Sequence, residues 1–162
     1  MACLGGLAPL DELTGDLRER LDAVLRDIGF GRLVGVEVVD WGPGRARTRL
    51  MPGPNQTNVH GFVHGGALFA VADTAFEVAC NSYGRVSVGL DVTVHYAPPP
   101  QPGETLVAEA VEVTRSRRVA SYRVEVKGES GVVRCTALAV AFRTDRWPLG
   151  EDEWPPEWRA AY

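Results

Sequence analysis

One segment in the middle of the chain constrains the fold more than any other. Between Ala67 and Cys80 nearly every residue is apolar, and polar or flexible residues follow at Asn81, Ser82 and Gly84. The length of this run fits a helix better than a strand. Because a helix that is apolar on all sides has to be buried, we expect this helix to lie at the centre of the domain.

The sequence around that helix alternates between apolar and polar residues, which is typical of half-buried strands. Strands are predicted over 33–38, 46–50, 87–96, 104–114, 119–127 and 132–143. Residues 51–62 are rich in Gly, Pro and Asn and are predicted to form a loop. A chain of 162 residues suits one compact domain. We therefore predict an α+β fold in which a mostly antiparallel sheet wraps around one long central helix.

Both ends of the chain are predicted to be additions to this domain. Apolar residues spaced by three and four place one stripe on an N-terminal helix, with Thr14 as its cap and Gly29 at its end. The C-terminal tail is rich in Trp and Pro without a period, so we expect it to be irregular and docked through its tryptophans. The expected division is residues 1–32, the N-terminal helix; 33–145, the main domain; and 146–162, the tail.

Composition excludes several classes of function. The formal net charge is −4, and no apolar run is long enough to span a bilayer, so we expect neither a nucleic-acid surface nor a membrane segment. Cys80 and Cys135 lie in apolar runs and are expected to be small buried hydrophobes in a reducing, cytoplasmic setting. No metal site is expected, because His60 and His64 lack a third ligand at suitable spacing.

Asp73 contradicts the apolar character of the central helix. An unpaired carboxylate inside a protein costs several kcal/mol, so Asp73 has to be protonated, bonded or facing a wet pocket. It could simply bond a neighbouring backbone group or an arginine. Glu77, one turn later, lies on the same side of the helix. Two acids on one face favour the alternative, that this face opens onto a cleft or a subunit interface.

The turn before the helix favours a functional interpretation. His64-Gly65-Gly66 precedes the apolar run, and glycines there leave backbone N–H groups unobstructed at the positive end of the helix dipole. Such donors can hold a developing oxyanion during acyl transfer. The donors and Asp73 are about two helical turns apart along one chain, so a site shared between two subunits is easier to build.

These residues resemble a known signature. The pattern Asn58-x5-His64-Gly65-Gly66-x6-Asp73, continued by Thr74-Ala75-Phe76, is similar to that of the hotdog-fold acyl-CoA thioesterases, and in particular resembles the phenylacetate-degradation thioesterase family. The resemblance covers roughly residues 33–143. It implies a hotdog fold, dimers that join their sheets edge to edge, and pairing of two homodimers into a homotetramer.

The resemblance also implies roles for individual residues. Asp73 matches the carboxylate that acts as general base on water or as nucleophile, and Gly65 matches the residue whose backbone N–H polarises the thioester carbonyl from the partner subunit. His64 and Asn58 match residues that line the site and orient the thioester and the water. Related members carry a hydroxyl residue on the following strand, where this chain has Gly89. The implied activity is hydrolysis of an acyl-CoA thioester with a small, phenylacetyl-type acyl group, without a separate cofactor.

The phosphates of coenzyme A would need cations. Arg115-Ser116-Arg117-Arg118 is predicted to occupy a turn between two strands, where it could hold phosphate oxygens through charge-assisted hydrogen bonds or be a solvated hairpin tip. Two other functions remain open: a hotdog hydratase or dehydratase that uses His64 with Asp73, and a non-catalytic acyl-CoA-binding module, which Gly89 favours.

Overall fold

A computed structural model describes Leu13 and residues 15–162 of the chain. The described part contains four α-helices and six β-strands in chain order. The helices are α1 (Gly15–Arg26), α2 (Gly29–Val34), α3 (Gly65–Asn81) and α4 (Pro156–Ala161). The strands are β1 (Glu37–Gly42), β2 (Arg45–Leu50), β3 (Ser87–Tyr96), β4 (Leu106–Arg115), β5 (Val119–Gly128) and β6 (Val133–Arg143).

The six strands form one sheet in the order β1-β2-β4-β5-β6-β3, with every neighbouring pair antiparallel. The long helix α3 packs against all six strands. The sheet therefore wraps around α3, and the predicted hotdog fold is confirmed.

The inner face of the sheet explains how closely α3 is held. Most residues that face the helix at the centre of the sheet are alanines with little or no exposure, namely Ala108, Ala110, Ala120, Ala137, Ala139 and Ala141. Small side chains let the helix approach the strands, and larger groups fill the remaining space. The Thr48 hydroxyl donates to the Val71 carbonyl at 2.7 Å, and the Phe76 ring packs edge to face on Tyr122 with 5.4 Å between ring centroids.

The elements predicted before β1 were wrong in two respects. The first helix ends at Arg26, and Gly29 begins α2 instead of ending the preceding helix. Leu33 and Val34 belong to α2 instead of a strand, and β1 begins only at Glu37. The physical reason is Gly35, whose left-handed backbone (φ 78°) ends α2 and reverses the chain before the alternating residues begin. The predicted cap, Thr14, lies outside the described residues.

The tail is more regular than predicted. Its last residues form α4, which starts with Pro156 at a position where proline is favoured. Docking through tryptophans is confirmed: Trp154 and Trp158 are buried, and the Trp158 indole N–H donates to the Tyr83 carbonyl at 2.9 Å. Tyr162 stacks on Tyr83 at 4.5 Å. The tail thus covers the C-terminal end of α3.

Cys80 and Cys135 are buried and unpaired by disulfide, as expected. No helix within the described part of the chain is long and apolar enough to cross a membrane.

Candidate active site

His64 caps the N-terminus of α3. Its backbone is extended (φ −66°, ψ 139°), and its Nδ1 accepts the Gly66 N–H at 2.8 Å, which caps the helix. In a neutral imidazole this leaves the proton on Nε2, which is free to donate. The Gly65 N–H donates to no acceptor in the described part of the chain. A free N–H at a helix N-terminus can stabilise negative charge on a bound oxygen.

Asn58 organises the loop that leads into this turn. Its side-chain oxygen accepts the backbone N–H groups of His60 at 2.8 Å and Phe62 at 3.2 Å. The His64 N–H donates to the Gln56 carbonyl at 2.8 Å, which ties the turn to the start of the same loop. The structure therefore brings Asn58, His64 and Gly65 together through a short, hydrogen-bonded loop.

Tyr96, which sequence reasoning missed, lies against this turn. A methyl group added to Gly65 would meet the Tyr96 ring at 3.3 Å and its hydroxyl at 3.5 Å. Tyr96 is nevertheless 55% exposed, so its ring lines an accessible surface at the end of β3. The only signal in the sequence was its position at the end of a strand just before the prolines.

Asp73 lies half-buried on α3, at the middle of the helix. It makes no hydrogen bond or ion pair with any residue that the structure describes, so the interpretation of a bonded structural carboxylate does not hold there. Burial raises the pKa of Asp73 above its ordinary value. A carboxylate that is partly desolvated and unpaired is a stronger base than one in water, and it remains accessible.

Glu77 extends the acidic face of α3. Burial, and then the nearby charge of Asp73, raise the pKa of Glu77. One turn further on, the Asn81 amide accepts the Ser87 N–H at 2.8 Å and donates to the Ser87 carbonyl at 3.1 Å. The acidic face therefore borders the first residues of β3.

One chain does not bring Asp73 and the Gly65 N–H to the same place. Eight residues separate them, which is about 12 Å along the helix axis. Strand β3 runs alongside α3 in the opposite direction, with Ser87 bound to Asn81 and Tyr96 packed on Gly65. On its other side β3 is an edge of the sheet.

Related members carry a hydroxyl residue at the position of Gly89, and this chain has no hydroxyl group there. Gly89 lies against the Phe76 ring, where an added methyl group would make contact at 3.4 Å. Ser87, two residues earlier, is buried, and its hydroxyl donates to the Arg85 carbonyl at 3.2 Å.

The predicted arginine turn lies between β4 and β5, close to the tail. Arg115 binds Glu112 at 3.1 Å and the Ala161 carbonyl at 3.1 Å, and Arg118 binds Asp145 at 2.6 Å. Arg117 is exposed and makes no hydrogen bond within the described chain. Two of the three predicted cations are thus held by the protein itself.

The same turn borders a cavity of about 620 Å³ that sequence reasoning missed. Five arginines line it against two acids, Asp145 and Glu151; the arginines are Arg85, Arg115, Arg117, Arg143 and Arg159. Burial, and then the charges of Arg115 and Arg85, lower the pKa of Arg143. The Arg159 Nε is buried without a hydrogen-bond partner. Four of these arginines already bind acids or carbonyls of the protein, and Arg117 makes no hydrogen bond within the described residues. Only folding brings these distant residues together.

The remaining histidines hold no metal in this arrangement. His60 and His95 are exposed, and no group of three or more His, Cys, Asp or Glu side chains in the described residues could hold a metal ion.

Comparison with known proteins identifies the family of this chain. Residues 60–135 match the Thioesterase superfamily. The chain is 32% identical over 104 residues to the acyl-coenzyme A thioesterase PaaI of Escherichia coli (strain K12), which covers 64% of this chain and 74% of that protein. It superimposes on a solved structure of the E. coli PaaI protein from the phenylacetic acid degradation operon with a TM-score of 0.76 and 25% identity, over 80% of this chain and 94% of the other.

A second solved structure, a mutant of the phenylacetic acid degradation protein PaaI from Thermus thermophilus, gives a TM-score of 0.70 and 37% identity. It covers 72% of this chain and 100% of the other. The fold is that of the hotdog thioesterases. The chain belongs to the thioesterase superfamily and resembles its phenylacetate-degradation members.

Proposed function

We propose that this protein hydrolyses acyl-CoA thioesters to the free acid and coenzyme A. One observation carries the proposal: Asp73 is a half-buried carboxylate without a partner among the described residues, in a mostly apolar helix whose first N–H donates to no acceptor there. The name of the E. coli relative, an acyl-coenzyme A thioesterase, supports the same substrate class.

The chemistry needs few groups. A thioester carbonyl is weakly stabilised by resonance and has a good leaving group, so one base and one or two oxyanion donors are enough. In the proposed mechanism Asp73 either removes a proton from water as that water attacks the carbonyl, or attacks the carbonyl itself to form an anhydride that water then hydrolyses. In both routes the C–S bond breaks and coenzyme A leaves as its thiolate, which takes up a proton from solvent. The Gly65 N–H stabilises the negative charge that develops on the carbonyl oxygen. His64 and Asn58 hold the loop and line the site.

The site is proposed to be shared between two subunits. Antiparallel pairing of β3 with β3 of a second copy would bring the Gly65 end of one α3 towards Asp73 of the other. This edge carries no other strand, and its Leu90 is 60% exposed. A long, unprotected apolar edge favours pairing with another chain. We propose a homodimer of this kind, and pairing of dimers into a tetramer.

Coenzyme A is proposed to place its phosphates at the arginine-lined cavity. The exposed Arg117, which makes no hydrogen bond within the described residues, is a suitable donor, because guanidinium groups bind phosphate oxygens in a bidentate manner. Of the predicted set, Arg115 and Arg118 would contribute mainly charge, since each already binds an acid of the protein.

The acyl group is proposed to be small and apolar, of the phenylacetyl type. The names of the PaaI relatives point to phenylacetate degradation. A panel of acetyl-, hexanoyl-, phenylacetyl- and palmitoyl-CoA with detection of the released thiol would test this preference. Equal rates on palmitoyl-CoA would contradict a small pocket.

The decisive experiment replaces Asp73 by Asn, which is nearly the same shape but cannot act as a base. Turnover should fall by roughly 10²–10⁴-fold, while circular dichroism and the Kd for acyl-CoA stay close to wild type. The replacement of Asp152, an exposed acid of the tail, by Asn is the matched control. Full activity of the Asp73→Asn variant would refute the assignment.

Product analysis separates the alternatives. Free acid and free thiol indicate hydrolysis, whereas an intact but altered thioester indicates a hydratase or dehydratase. Tight acyl-CoA binding without thiol release from any member of the panel indicates a non-catalytic module.

A further inference from the structure

The end of β3 holds an aromatic side chain over the glycine turn. Tyr96 is the last residue of β3, and the Ala97 N–H that follows it donates to the Arg134 carbonyl at 3.0 Å. A little further on, the Pro100 carbonyl accepts the Val63 N–H at 3.2 Å, which ties this segment to the loop before α3. The end of β3 is therefore fixed beside the N-terminus of α3 by backbone hydrogen bonds.

The Tyr96 hydroxyl lies close to the Gly65 N–H, which has no acceptor among the described residues. A Cβ added to Gly65 would lie 3.5 Å from that hydroxyl. Because Cβ and N of one residue are about 2.5 Å apart, the hydroxyl oxygen lies within about 6 Å of the Gly65 nitrogen. Helical Cα–Cβ bonds tilt towards the N-terminus, the direction in which the first N–H groups point. The hydroxyl therefore lies on the side of the turn that the N–H faces.

This separation suits two donors that share one acceptor. Oxyanion donors lie roughly 2.7–3.1 Å from the oxygen that they stabilise, so two of them can be up to about 6 Å apart. One carbonyl oxygen placed between Tyr96 and Gly65 can accept from both groups.

The hydroxyl is also available to a ligand. It makes no hydrogen bond with any residue that the structure describes, and Tyr96 is 55% exposed. Partial burial, and then the neighbouring Cys135, raise the pKa of Tyr96 above its ordinary value. The group therefore keeps its proton at neutral pH and can donate it in a hydrogen bond.

We infer that the Tyr96 hydroxyl is a second oxyanion donor, acting beside the Gly65 N–H. The inference rests on the proposed thioesterase function and adds a catalytic residue to it. The hydroxyl donates a hydrogen bond to the thioester carbonyl oxygen, and the bond strengthens as negative charge develops there, while the proton stays on the tyrosine. An interaction that is stronger in the transition state raises kcat more than it lowers KM. Both donors come from one chain.

The kinetic test is Tyr96→Phe, which keeps the ring and removes the hydroxyl. A hydrogen bond to a charged group predicts a fall in kcat of about 10–10²-fold, with KM within about threefold of wild type. Thr93→Val is the matched control: it removes a hydroxyl from the same strand, three residues earlier, where the exposed side chain points to the opposite face of the sheet. Its kcat should stay within about twofold of wild type. A Tyr96→Phe variant with the kcat of wild type, whatever its KM, would overturn the inference.

A spectroscopic measurement separates hydrogen bonding from mere positioning. The probe is a phenylacetyl-CoA analogue in which a methylene group replaces the sulfur, so that its ketone binds without being hydrolysed. A hydrogen bond to the ketone oxygen lowers the carbonyl stretching frequency. In infrared difference spectra the frequency should rise in Tyr96→Phe and stay unchanged in Thr93→Val. A frequency that does not move in Tyr96→Phe would overturn the donor role, even if kcat falls.

The two levels of the hypothesis fail differently. If the wild type releases no thiol from any substrate, the proposed function fails and this inference with it. If the wild type is active and Asp73→Asn is not, while Tyr96→Phe behaves as wild type, only this inference fails.

Discussion

The residue proposed to act as the base, Asp73, is a carboxylate in an unfavourable place. Asp73 lies in a helix whose other residues make the core, and it gains no hydrogen bond or ion pair from the described chain in return for its partial desolvation. Such a residue costs stability, and proteins commonly accept that cost at functional sites. Its raised pKa has a consequence for activity that can be measured.

We expect the acid limb of the kcat/KM profile to report Asp73. The pKa of an ordinary aspartate is 3.8, and burial raises the pKa of Asp73 above that value. The base is active only when ionised, so activity is present above the raised pKa and is lost as the pH falls through it. A profile measured from about pH 3.5 to 8 should have its acid midpoint above 3.8 in wild type. A midpoint at or below 3.8 would contradict this assignment.

The proposed oxyanion donor, the Gly65 N–H, is a backbone group, so it can be removed only by a substitution that changes the backbone. Gly65→Pro deletes the N–H at the first helical position, where proline is favoured, and the extended His64 before it is compatible with proline. Gly65→Ala is the control, because it adds similar bulk against Tyr96 but keeps the N–H.

We expect Gly65→Pro to lose about 10²–10³-fold in kcat, the usual cost of one oxyanion donor. Gly65→Ala should lose much less. Equal losses in the two variants, measured by thiol release, would mean that crowding at Tyr96 and not the missing N–H is responsible.

At the scale of elements, the tail is held through a close contact at the end of α3. Gly84 has a left-handed backbone (φ 75°), and a methyl group there would overlap the Trp154 ring, with the nearest atom at 1.7 Å. Gly103 also has a left-handed backbone (φ 88°), but nothing lies within 4 Å of an added methyl group. Comparing alanine substitutions at the two glycines therefore distinguishes the energetic cost of backbone strain from the cost of overpacking.

We expect Gly103→Ala to lower the free energy of unfolding by roughly 1–2 kcal/mol, the cost of the left-handed backbone. Gly84→Ala should lose that amount and about a further 1–3 kcal/mol from overpacking. Urea unfolding followed by tryptophan fluorescence measures both. Equal losses would mean that Trp154 moves aside without cost.

At the scale of the whole molecule, one chain keeps the two groups of the proposed site apart. Asp73 and the Gly65 N–H are about 12 Å apart along α3, while β3 offers a free edge beside them. The arginine-lined cavity lies at the opposite end of α3 from His64, beneath the tail. A complete site therefore requires a second copy, if the proposed function is correct.

Subunit mixing tests that requirement. Asp73→Asn and Gly65→Pro chains, refolded together in equal amounts, should form heterodimers in which one of the two sites has both groups. Random pairing predicts recovery to about a quarter of wild-type activity. A mixture no more active than its two components would contradict a shared site, and sedimentation of the mixture checks that dimers form.

Much of this molecule was determined by local sequence. The all-apolar run predicted α3 almost to the residue, and alternation predicted β2 to β6, because both signals depend only on which neighbours are apolar. The first strand was misplaced, since the left-handed turn at Gly35 separates the end of a short helix, Leu33 and Val34, from the alternating residues of β1. The helix in the tail was missed because it is short and is held by packing of Trp158 and Tyr162.

The sequence by itself determined that a carboxylate would lie in a buried helix behind a glycine turn. Only the tertiary structure decided that Asp73 has no partner among the described residues, that Tyr96 packs on Gly65, and that five distant arginines line one cavity. The physical reason is the separation along the chain of the residues involved. Helix and strand patterns arise from residues a few positions apart, whereas burial, charge clusters and cavities depend on distant elements that the fold brings together.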